Sequence, residues 1–174
     1  MKKLLLLTTT LLITACGGFE EVDDNSSIEA LGKTVLTAVA TNNSNLFDKY
    51  VPDNKEEALA YYKRYMEVNN LSLIQEKSIE RMMTKRSRTI GSVNQTHQEF
   101  LENGLNDWSG IEFLNVKYDS DNRGANMVTG LLISFKNGDN FGNIRVGEAW
   151  ETDKGWMATE ALQMTYYGPN ASGR

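Results

Sequence analysis

One histidine, one distinctive glutamate and a set of evenly spaced cations are the residues of this chain with chemistry to offer. His97 stands at helical intervals from Val93, Phe100 and Leu101, which places its imidazole near an apolar helix face. There it is either a general base at the wall of a pocket or a half-buried, hydrogen-bonded structural histidine. Glu148 alternates with Val146 and Trp150, so on a strand it would share their side of the sheet and could act as a pocket acid or base. On the outer side it would be an ordinary solvated carboxylate, and no motif pairs it with His97. Lys77, Arg81, Lys85 and Arg88 are spaced by four, four and three. On one continuous helix they form a basic stripe, with Arg86 beside it. Such a stripe suits an acidic protein partner, an anionic headgroup or an acidic polymer. The plainer reading is a solvated face balanced by Glu76 and Glu80.

Other chemistries find little material. A metal site needs several suitable ligands, and one histidine with one cysteine leaves only carboxylate loops. Asp119, Asp121 and Asn122 form an oxygen-rich turn, but it lacks the glycine and closing glutamate of a calcium loop and reads as a hairpin tip. There is no glycine-rich phosphate loop, no serine-nucleophile motif and no redox cysteine pair, so no cofactor and no metal are expected.

The cysteine is Cys16. Lys2 and Lys3 precede an apolar run over residues 4–15 that ends in Ile13-Thr14-Ala15-Cys16. A cationic start, a short apolar stretch and small residues before a cut are the layout of a secretory signal, and the run falls short of the ~20 residues of a spanning helix. The tetrapeptide resembles the bacterial lipobox. The resemblance implies that residues 1–15 are removed and that Cys16 is acylated and becomes the first residue. Several acyl chains hold a protein on a bilayer essentially permanently. Gly17 in place of aspartate implies sorting to the outer membrane, facing the periplasm.

Removing residues 1–15 leaves 159 residues, enough for one domain, with 16 Lys and Arg against 23 Asp and Glu and so a net charge of −7. A negative domain is a poor ligand for phosphate backbones, and nucleic acid is excluded as a partner. Residues 17–26 are glycine-led and acidic and are expected to be a tether reaching ~35 Å when extended. A single domain is expected over 27–166, with a frayed tail over 167–174.

The elements that must position these residues fall into two textures. Ser26 with Glu29 has capping-box spacing, and Ile28, Leu31, Val35, Ala38 and Val39 predict a helix over about 27–41. A short helical turn follows at Leu46 to Tyr50, then a helix from Asp53 to about Val68 with Tyr61, Tyr62 and Tyr65 on one face. Ser72 with Gln75 opens a helix to about residue 85, and a further one runs from Gly91 to about Asp107. From Gly110 the period becomes two. Four strands are expected, with Met127, Thr129, Leu131, Ile133 and Phe135 on one face of the second, a hairpin at Asn137-Gly138, and a last strand from Trp156 to Thr165. The fold class is therefore α+β: amphipathic helices packed on a C-terminal four-stranded antiparallel meander.

That order of elements, with Gly147-Glu148-Ala149-Trp150 and Asp153-Lys154-Gly155-Trp156, resembles the NTF2-like, or cystatin-like, α+β cone. The helical sequence between 71 and 107 exceeds what such a cone usually holds, so a sheet packed on a small helical bundle is the alternative. Relatives in that superfamily use the cone interior for catalysis or ligand binding, and their sheets often pair back to back, which implies a homodimer as one assembly. Two functions follow. The first is a membrane-anchored, periplasm-facing binding module for a protein partner or small ligand, in envelope upkeep or in immunity and exclusion. The second is an enzyme acting on a small apolar substrate in the cone, with His97 or Glu148 as its base.

Overall fold

The computed structural model describes residues 19–57, 59, 76–120 and 127–169. Residues 1–18, which include Cys16, and most of the helix expected over 53–68 lie outside the described residues. Among the described residues, the helices α1 (Ile28–Ala40), α2 (Ser44–Asp48) and α3 (Glu76–Glu102) accompany a sheet of β1 (Ile111–Ser120), β2 (Met127–Asn137), β3 (Asn140–Thr152), β4 (Gly155–Ala158) and β5 (Leu162–Pro169). The class is α+β with an open antiparallel sheet.

α1 starts one residue later than the capping-box spacing suggests. Ser27 is the cap, its hydroxyl accepting from the Ala30 amide at 3.0 Å, while the Ser26 hydroxyl turns back to Asp24. Leu31, Val35, Ala38 and Val39 face the core. Gly32 brings α1 onto β1, since a Cβ there would lie 2.5 Å from Val116 Cγ2.

α3 is one helix where two were expected. Gly91 sits inside it, exposed, with open space around its missing side chain. A mid-helix glycine costs only about 1 kcal/mol relative to alanine, and burial of Val93 and Phe100 on the next turns outweighs it. The helix stops at Gly104, whose φ of +93° suits a residue without Cβ. The Leu105 amide donates back to the Phe100 carbonyl at 3.0 Å and the Gly104 amide to Leu101 at 3.0 Å, a Schellman stop sealed by the buried Phe100 and Leu105 side chains.

The sheet has five strands rather than four. β1, β2 and β3 form a meander, and the run expected as one last strand divides into β4 and β5, which both pair with β3. The division follows from a change of phase. Leu131, Ile133 and Phe135 enter the core as expected, but Gly130, at φ +62°, shifts the alternation so that Val128 enters instead of Thr129 and Met127. β3 shifts opposite it at Gly147: Ile144 and Val146 are core, and the next core residue is Ala149. Met127, Trp150 and Met157 therefore bury together as a second cluster on the other side. Thr159, Glu160 and Ala161 leave the ladder at that level, and the Glu160 side chain lies across Gly147. Two substitutes satisfy the local amides: Thr159 donates to the Glu148 carbonyl at 3.1 Å, and Leu162 donates to Ser92 Oγ at 2.8 Å. β5 continues to Pro169, opposite Asn140, so residues 167–169 belong to the sheet and not to a frayed tail.

Residues 19–26 also differ from expectation. They run as an extended strap antiparallel to α1. Phe19 donates to the Ser109 carbonyl at 3.2 Å, Val22 to Thr37 Oγ1 at 2.9 Å and Asp24 to Thr34 Oγ1 at 2.8 Å. Asn25 completes the strap, its side chain donating to the Lys154 and Trp156 carbonyls and its own carbonyl accepting from Trp156 at 2.8 Å. Acidic composition suggests solvation, but two threonines on α1 supply the partners that hold the strap in place.

Candidate functional site

His97 sits where α3 crosses the C-terminal end of α1. Its Nδ1 is 2.7 Å from the Val39 carbonyl oxygen, so that nitrogen carries the proton and donates to a carbonyl at the helix end that also accepts from the Asn42 amide at 3.1 Å. The ring stacks on Trp108 at 5.2 Å between centroids and 16° between planes. Trp108 in turn meets Phe100 edge-on at 5.5 Å, and Phe100 meets Phe135 at 5.3 Å and Tyr167 at 5.9 Å. These aromatic rings pack between α3 and the sheet. Sequence periodicity places His97 on that face but gives no sign of Trp108, which arrives from the loop after α3.

Glu148 is elsewhere. The phase change at Gly147 separates it from Val146 and puts it beside Trp150, on the side of the second cluster. Its Oε1 accepts from Trp150 Nε1 at 2.6 Å and from Thr159 Oγ1 at 3.0 Å. The carboxylate thus ties β3 to the start of the β4–β5 break. His97 and Glu148 have no neighbour in common among these bonds, and the fold does not bring them together as a pair.

The basic stripe lies on one unbroken helix. The Lys77 backbone belongs to α3, and its side chain lies outside what is described; Arg81, Lys85 and Arg88 are exposed. Lys85 meets Glu160 at 3.3 Å, with both side chains about half in solvent, an exposed pair worth ~0–1 kcal/mol. Arg81 and Arg88 have no ion-pair partner among the described residues. Arg86 is different, half-buried, donating to the Pro52 carbonyl at 3.0 Å and paired with Asp48, so it holds the loop after α2 against α3. The helix macrodipole does not account for the stripe, since it favours cations in the last turn and α3 has none there.

A further constellation escaped the sequence reading altogether. Asp23 of the strap receives hydrogen bonds from Lys49 and from the Tyr50 hydroxyl. The Lys49 ammonium first, and then Tyr50, hold the Asp23 carboxyl below its usual range. Burial, followed by the Asp23 bond, pushes the Tyr50 hydroxyl well above the ordinary phenol value. Two shallow grooves flank the strap, of ≈ 380 Å³ beside Asp23, Asn43 and Lys49 and of ≈ 320 Å³ beside Phe19, Lys33 and Phe113. Neither contains His97 or Glu148. On the edge strand β1, Leu114 and Tyr118 are exposed because each is skipped at a register shift against β2. Among the described residues no three His, Cys, Asp or Glu side chains stand together as a metal cluster, and no helix is long and apolar enough to cross a membrane.

Compared with protein-family models, with curated proteins and with solved structures, the chain matches none.

Proposed function

We propose that this chain is a lipid-anchored binding module of the bacterial envelope, held through Cys16 at the outer membrane and facing the periplasm. Its scaffold is an NTF2-like cone whose interior serves as core, and its recognition surface is the exposed basic face of α3, formed by Arg81, Lys85 and Arg88 with Lys77 in register. One observation carries this reading. Arg81 and Arg88 stand exposed without an ion-pair partner among the described residues, in a mature chain of net charge −7. His97 and Glu148, the residues an enzyme would use, are both engaged inside the fold. Exposed cations without an ion-pair partner favour an acidic partner and speed its encounter.

The test is a crosslinking pull-down from cells of the membrane-anchored protein, comparing wild type with Lys77, Arg81, Lys85 and Arg88 all changed to Glu. One partner recovered with wild type and lost with the variant is the expected result. The same partner recovered with both proteins would remove the stripe from the function.

A further inference from the structure

Few residues separate the proposed anchor from the fold. Phe19 is already bonded to the Ser109 carbonyl, and only Gly17 and Gly18 separate it from Cys16. Three extended steps from Cys16 to Phe19 span at most ~11 Å. Ser109 belongs to one end of the molecule. There the Asn137 side chain donates to the Asp107 carbonyl at 2.6 Å, Asn137 pairs with Asn140 at the β2–β3 hairpin, and Asn140 pairs with Pro169. From this end the strap climbs α1 to Asn25, which is bonded beside Trp156 and Lys154 at the opposite end of β3. The two ends of β3, at Asn140 and Thr152, lie ~40 Å apart.

We propose that the strap seats the domain upright on the bilayer that holds its own lipid, with the end formed by Phe19, Ser109 and the hairpin at 137–140 against the surface. The inference rests on the lipid-anchor reading and deepens it. α3 ends at Glu102, immediately before the loop that carries Ser109, so Arg81 stands ~30 Å further along the helix axis. At physiological ionic strength charges are screened over ~8 Å. The headgroups of its own membrane are therefore out of reach of the stripe, and the acidic partner approaches from the periplasmic side. An acidic leader read as a long flexible tether would have allowed the opposite: a stripe free to fold down onto anionic lipid.

The experiment uses the full-length lipidated chain in vesicles of phosphatidylethanolamine and phosphatidylglycerol containing a nickel-chelating lipid. Its N-terminal peptide is first analysed by mass spectrometry. An unmodified Cys16 would overturn the anchor reading itself, and this proposal with it. With acylation established, a nitroxide is placed at Asp139→Cys on the hairpin tip or at Asp153→Cys in the β3–β4 turn, both exposed sites. Headgroup nickel is expected to relax the label at 139 and to leave the label at 153 unaffected. Equal relaxation, or the stronger effect at 153, would overturn the upright orientation while leaving the anchor intact. Inserting a flexible Gly/Ser linker of about twenty residues, ~25 Å in root-mean-square length, between Gly18 and Phe19 is expected to abolish the difference. If the difference survives the insertion, the short connection is not what sets the orientation.

Discussion

Residues 89–102 and residues 80–88 belong to the same helix, α3, and live in different surroundings. In the first stretch Thr89, Ser92, Val93, Thr96 and Phe100 are buried, the Ser92 hydroxyl closes the break between β4 and β5, and His97 ties the helix to the end of α1. In the second, Glu80, Arg81, Thr84, Lys85, Ser87 and Arg88 are exposed, while Met83 is half-buried and Arg86 reaches back to the Pro52 carbonyl. The contrast teaches that one continuous element divides its work along its length. The buried half fixes where the exposed half points, so the proposed recognition face needs no mobile loop.

The largest effect belongs to the buried half. Phe100 is fully buried and meets three aromatic rings, so Phe100→Ala is expected to lose ~3–5 kcal/mol in urea unfolding. A loss no greater than that of a charge substitution on residues 80–88 would break the comparison. Ser92→Ala leaves the buried Leu162 amide without its acceptor and should cost ~1–3 kcal/mol, with faster hydrogen exchange at the start of β5. Asn25→Ala removes two side-chain bonds to the far end of the sheet and should cost about 1 kcal/mol, seen as earlier proteolysis of the strap and not of α3.

Acid provides a milder probe of the strap. The Asp23 pKa is lowered in the folded chain, so its contribution is complete above the ordinary carboxylate value of ~3.9 and is lost as pH falls through the lowered value. Hydrogen exchange of the Val22 and Asp24 amides should therefore be flat from neutral pH down to about 4, once corrected for intrinsic rates, and rise below it. The smallest stability effect is expected where the functional effect is greatest. Arg81→Glu with Arg88→Glu should change unfolding free energy by no more than ~0.5 kcal/mol while abolishing partner capture. A large destabilisation would show that the exposed half also holds the fold.

Much of this architecture was legible in the residues. The interval pattern of Ile28 to Val39 located α1, and alternation with Asn137-Gly138 located β2, β3 and their hairpin, because local period and turn chemistry act within a few residues. The candidate site was less legible. Position on a helix is enough to align Arg81, Lys85 and Arg88, but alternation places Glu148 on the side of Val146 and says nothing of a phase change. That change needs two glycines, Gly130 and Gly147, on adjacent strands, and their meeting is a fact of register.

Most element types, the acidic balance and the cationic spacing could be read along the chain, as could the resemblance of Ile13 to Cys16 to a lipobox, since each depends only on neighbouring residues. Tertiary structure alone decided that Gly91 lies inside one helix, that the last strand divides in two, that His97 donates to Val39, and that the acidic strap of residues 19–26 docks along α1. Each of those outcomes is set by partners distant in sequence, and the energies of burial and hydrogen bonding that select them exist only once the chain has closed on itself.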